Sequence, residues 1–138
     1  QQINNWMTVG QLLRHIADDQ AFGFRSAITN DWGMELPEGV EFTADMLPPA
    51  EKMPTVSSVA EFREAFERDW KEALRLLEDT TEEDLSGTPC PAPWDPTPIP
   101  LGLRLFQMID HMIQHKGQLF YYLKLQGKPV NTSNLWGM

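Results

Sequence analysis

The stretch Leu101–Gly127, LGLRLFQMIDHMIQHKGQLFYYLKLQG, decides the fold. Apolar residues recur at Leu105, Ile109, Met112, Leu119 and Leu123, no proline interrupts them, and Gly127 with Pro129 supplies a C-terminal stop. The spacing predicts one long amphipathic helix. His111 and His115 stand four residues apart in it, which places them about 40° apart around a helix and roughly 6 Å apart along it. Two imidazoles so placed can converge on one ion. By itself the pair is a weak signal, because an inward-facing helical histidine is more often a hydrogen-bonded core residue than a ligand.

The 138 residues fit one domain, 1–138, long enough to bury a core without staples. Eleven basic against twenty acidic residues give a net charge of -9, a surface that repels polyanions, so neither nucleic acid nor an anionic membrane is an expected partner. A single cysteine, Cys90, rules out an internal disulfide and fits a reducing compartment. No apolar run approaches the length of a spanning helix, and the polar start QQINN is no signal peptide. A soluble cytoplasmic protein is expected. Because the first residue is Gln1 rather than Met, the sequence is expected to begin inside a longer chain or after processing.

Thr8 and Gln11 have the spacing of a capping box, so a helix should begin near Val9. Leu12, Leu13, Ile16, Ala17, Gln20, Phe24, Ala27 and Ile28 continue it as a helical stripe that contains His15, and Asn30–Gly33 end it. Residues 31–57 carry Pro37, Pro48, Pro49 and Pro54 and read as a long connection. Ser58 and Glu61 repeat the capping pattern, and Val59, Phe62, Phe66, Trp70, Ala73, Leu74 and Leu77 mark a helix over about 59–79, with Glu64, Arg68, Lys71 and Glu72 as its solvated face. Thr81–Leu85 forms one short turn ended by Gly87. Pro89, Pro91, Pro93, Pro96, Pro98 and Pro100 then predict an extended linker without regular backbone hydrogen bonds, a rigid crossover into the last helix.

Asp110–Val130, DHMIQHKGQLFYYLKLQGKPV, resembles the last-helix signature of the DinB/YfiT-like superfamily of metalloenzymes: H-x-x-x-H, a basic residue, Gly-Gln-Leu, then Leu-x-x-x-Gly. Trp6–His15, WMTVGQLLRH, resembles the start of that family's second helix, an aromatic, a Ser or Thr cap, and Leu-Leu-x-His. The chain has three histidines, and all fall where the family places its metal ligands. The resemblance therefore implies an all-α, DinB-like four-helix bundle with His15, His111 and His115 holding one divalent transition metal ion, zinc or nickel foremost. Only five residues precede Trp6, so the family's first helix is expected to be absent from this chain, leaving three long helices joined by long Pro-rich connections. The apolar face that such a loss uncovers implies a homodimer.

Three neutral imidazoles with an open position suit a borderline divalent ion that lowers the pKa of a bound water or thiol. Two other metal chemistries fail on spacing. A metalloprotease needs Glu after the first histidine of the pair, where Met112 stands, and a carboxylate-bridged di-iron site needs Glu three before its histidines, where Leu12, Met108 and Met112 stand. Asp19, Asp110, Gln114 and Gln118 are candidates to orient the rings, and Tyr122 is either pocket lining or core. Cys90 has no basic neighbour in sequence to activate it as a nucleophile. Family members with an assigned activity use low-molecular-weight thiols such as mycothiol or bacillithiol, so the resemblance implies a thiol-dependent S-transferase or isomerase acting on a small-molecule substrate. The alternatives are a hydrolase using metal-bound hydroxide and a non-catalytic stress-response binding protein.

Overall fold

The computed structural model describes residues 7–33, 43 and 48–138. Trp6, Pro37 and much of the predicted connection lie outside the described residues. In chain order the elements are α1 (Val9–Thr29), a 3-10 turn (Ala50–Lys52), α2 (Val59–Glu78), the short α3 (Glu82–Gly87), β1 (Pro89–Ala92), β2 (Asp95–Pro100), α4 (Leu101–Leu125) and α5 (Thr132–Trp136). The class is all-α, as the periodicity predicts, with one small two-stranded sheet.

Helix α1 starts where its cap dictates. The Thr8 hydroxyl accepts the Gln11 N–H at 3.2 Å, and the Gln11 side-chain oxygen accepts the Thr8 N–H at 2.8 Å, so two otherwise orphaned donors are satisfied. The helix ends at Asn30, which adopts the left-handed conformation at φ 54, a region asparagine tolerates better than most residues. Between these ends α1 packs against both α2 and α4, and it buries Leu12, Ile16, Ala17, Gln20, Phe24 and Ala27. A Cβ at Gly23 would stand 3.0 Å from Met108 Sδ, so the glycine lets α1 and α4 approach closely.

Helix α2 buries only Ala65 and Ala73 completely. Its aromatic stripe stacks along the flank instead: Phe66 and Trp70 lie at 6.2 Å with their planes 9° apart, and all three of Phe62, Phe66 and Trp70 are half-buried. Leu74, one of the apolar residues whose spacing predicts the helix, is 49% exposed. Small alanines bring α2 close to α1 and displace the larger side chains to the edges of the contact. The predicted cap is present at Ser58, whose hydroxyl accepts the Glu61 N–H, but the Glu61 carboxylate reaches Ser57 rather than closing the box on Ser58.

The Pro-rich segment corrects the sequence expectation. It is a β-hairpin, with Cys90 opposite Ile99 and Ala92 opposite Asp95 across a turn at Pro93–Trp94. Prolines at alternate positions lose N–H groups along one edge of each strand, and a two-stranded ribbon needs donors on only the other edge. Arg104, fully buried near the start of α4, locks the hairpin in place. Its guanidinium donates to the carbonyls of Cys90, Asp95 and Thr97 and to the side chains of Asp95 and Gln107.

The core gathers Phe24, Ala27, Trp32, Ala73, Leu101, Leu105 and Met108 around the first half of α4. The second half emerges from it: Ile113, Tyr121 and Leu125 are exposed. Helix α4 closes at Gly127, at φ 71, where the Lys128 N–H reaches the Leu123 carbonyl and the Gly127 N–H that of Lys124. Among the described residues no helix is long and apolar enough to cross a membrane.

Candidate metal centre

Close packing of α1 on α4 brings His15, His111 and His115 together across about a hundred residues of sequence, the separation of His15 from His115 being 100. His15 Nε2 lies 3.0 Å from His115 Nε2, which lies 2.7 Å from His111 Nε2. One ligand atom from each ring falls within 4.8 Å of the others. His115 is buried while His15 and His111 are partly exposed, so the group sits at the margin of the core.

The outer nitrogens fix the tautomers. His111 Nδ1 donates to Asp19 Oδ2 at 2.7 Å, and His115 Nδ1 donates to Gln118 Oε1 at 2.8 Å. Because both acceptors are oxygens without a proton to give, Nδ1 carries the hydrogen in each ring and Nε2 of the neutral ring is a bare lone pair. Lone pairs facing each other at these distances repel unless a proton or a cation lies between them. The electrostatics show the same tension. Burial holds His15 and His115 below the usual histidine range, with the facing rings adding to the effect, whereas the bond to Asp19 raises His111.

A divalent ion fits this donor set. With metal–nitrogen bonds of roughly 2.1 Å, neighbouring nitrogens stand about 3.0 Å apart in an octahedron and about 3.4 Å apart in a tetrahedron. The two short separations here, 2.7 and 3.0 Å, lie within about 0.3 Å of the octahedral value.

Of the four candidate orienting residues, Asp19 and Gln118 touch the rings, while Asp110 and Gln114 pair with each other on the exposed face at 2.8 Å. Tyr122 is half-buried, and burial raises its phenol. Cys90 is fully buried in β1, its thiol donating to the Ala27 carbonyl and its pKa pushed up by burial, both of which work against a nucleophilic thiolate. A cleft of about 220 Å³ opens between Ile16, Phe62, Phe66, Met112, Leu119 and Lys116; Ile16 and Met112 directly follow His15 and His111 in sequence, but none of the three histidines lines it.

One residue of the site escapes the sequence reading. Asp69 of α2 accepts the backbone N–H groups of Gln20 and Ala21, each at 3.1 Å, immediately after Asp19. Its spacing from Phe62, Phe66 and Ala73 puts an acid on the inward face of an amphipathic helix, and that is the signal that marks it.

The fold and the three-histidine group define a helical-bundle protein of the kind that can hold a divalent ion between two helices. A family model described as the DinB superfamily matches residues 3–119. The chain belongs to the DinB superfamily. No curated protein and no solved structure matched the chain.

Proposed function

We propose that this protein is a metal-dependent enzyme in which His15, His111 and His115 hold one divalent transition metal ion, and that it transfers or isomerises a small electrophile with the help of a low-molecular-weight thiol. The observation that carries the metal reading is the convergence of three Nε2 atoms, two of them bare in the neutral rings because Asp19 and Gln118 take the hydrogen on Nδ1. An ion at that point lowers the pKa of a thiol or water and polarises an electrophile.

The thiol reading follows the family resemblance. The chain's one cysteine is sealed in the core, so a sulfur nucleophile has to come from outside. The chain's own residues then supply orientation. Asp19 and Gln118 hold two rings with lone pairs inward, and the apolar side chains of Ile16, Phe62, Phe66 and Met112 suit the hydrocarbon part of a substrate.

The test is elemental analysis of untagged protein purified without chelators, followed by turnover of an electrophilic reporter with and without added thiol. About one zinc or nickel per chain, lost in His111→Ala but kept in Glu72→Ala, with turnover that requires thiol, is the expected result. Equal metal content in the two variants overturns the three-histidine site, and thiol-independent turnover moves the assignment to a hydrolase.

A further inference from the structure

We infer that Asp69 is a positioning residue for the metal centre: by gripping the α1 backbone at Gln20 and Ala21 it fixes the turn that presents Asp19 to His111. The inference rests on the metal reading given above. In an α-helix each N–H points along the axis to the carbonyl four residues back. Two consecutive N–H groups of α1 nevertheless reach one oxygen of Asp69, so a carboxylate from α2 enters the hydrogen-bond ladder of α1. The entry point directly follows Asp19, whose other role is the 2.7 Å bond to His111.

Gln20 extends the connection. It is fully buried, its N–H is held by Asp69, and its side-chain amide donates to the Met108 carbonyl of α4 at 3.2 Å, in the turn preceding His111. One residue thus ties α2 to α1 and α1 to α4 at the level of the histidines. Such a link sets the axial register between His15 and Asp19 on one helix and His111 and His115 on the other, and a ligand set tolerates little error in that register. Burial raises the Asp69 carboxyl above its usual range, and the N–H groups of Ala21 and Gln20 oppose that rise more than Asp18 and Asp19 each add to it, so the two backbone bonds are what hold its charge in place.

The two possible roles of the carboxylate, accepting the N–H groups or supplying charge, separate in a pair of variants. Asp69→Asn removes the charge but keeps an oxygen in the same place. Asp69→Glu keeps the charge but moves the oxygen out by one methylene. Zinc affinity is measured by chelator competition, and the His111 Nδ1–H resonance is followed by proton–nitrogen NMR in chelator-treated protein. The expected result is wild-type affinity and an unmoved resonance in Asp69→Asn, with about a tenfold loss of affinity and a shifted or broadened resonance in Asp69→Glu. Retention in Asp69→Glu with loss in Asp69→Asn overturns the inference in favour of simple charge. Lower melting temperatures with an unmoved resonance in both variants also overturn it, leaving a structural role alone. If wild-type protein takes up no zinc, the metal reading fails, and the resonance by itself still decides whether Asp69 positions Asp19.

Discussion

Asp19 Oδ2 and His111 Nδ1 meet at 2.7 Å across the interface between α1 and α4, and this bond decides which nitrogen of His111 faces the other two rings. Losing the acceptor in Asp19→Ala frees the ring to turn or to adopt the other tautomer. Metal affinity should fall about 10- to 100-fold, as is usual for a residue that orients a ligand from behind. Asp19→Asn, whose amide oxygen still accepts the Nδ1–H, should lose less. Chelator competition measures both, and an Asp19→Ala protein with undiminished affinity would detach Asp19 from the centre.

Arg104 is a separate structural keystone. All of its donor groups are used, three of them on carbonyls of the hairpin, and the side chain is wholly inaccessible. Arg104→Met preserves much of the volume but leaves those carbonyls without donors and Asp95 without its partner. Breaking a buried charged network from one side costs roughly 3 kcal/mol or more. Urea unfolding should show that loss, while zinc affinity of the folded fraction should hold, because the partners of Arg104 are Cys90, Asp95, Thr97 and Gln107 and none of the three histidines. A stability change within about 0.5 kcal/mol, the scale of an ordinary surface substitution, would mean that water replaces the guanidinium.

Glu72 carries the clearest pH dependence. It takes Arg75 and Arg25 on its two oxygens, the latter reaching across from α1, and these bonds lower its pKa from 4.5 to about 2. A carboxyl whose folded pKa is depressed adds stability that is fully present above the unfolded value and is lost as pH falls through the folded one. The melting-temperature difference between wild type and Glu72→Gln should therefore be constant above pH 4.5 and shrink to nothing near pH 2. It should also be small and diminish in high salt, since the pairs are exposed. A difference that ignores pH would show that the glutamate acts through packing.

What could be read from residues alone, and what could not, divides along the range of the interactions. The ends of α1 and α2 were legible because capping is local: Thr8, Gln11 and Ser58 find their partners three residues away. The gathering of the histidines was legible because four-residue spacing on α4 and the family resemblance of the Leu-Leu-x-His segment singled out His15, His111 and His115, the group that could hold an ion. The hairpin was not, since counting prolines conceals their alternation, and it is the alternation that leaves Cys90, Ala92, Asp95, Thr97 and Ile99 with N–H groups to share. Exposure of Leu74 and the bond from Asp69 to α1 depend on how two helices meet, a relation that no single helix encodes.

Cys90 supplies the last test, because the thiol reading requires that the chain's own sulfur take no part. Its side chain is wholly inaccessible, the Sγ atom is engaged by the Ala27 carbonyl at 3.4 Å, and burial raises its pKa, so little thiolate exists at neutral pH. A chromogenic disulfide should leave native protein unmodified and label one thiol per chain in guanidinium. Cys90→Ala should lower stability by about 1 kcal/mol, the usual scale of a small core truncation, and leave thiol-dependent turnover unchanged. Rapid labelling of folded protein, or turnover that disappears with the alanine, would place the nucleophile inside the chain and remove the need for an external thiol.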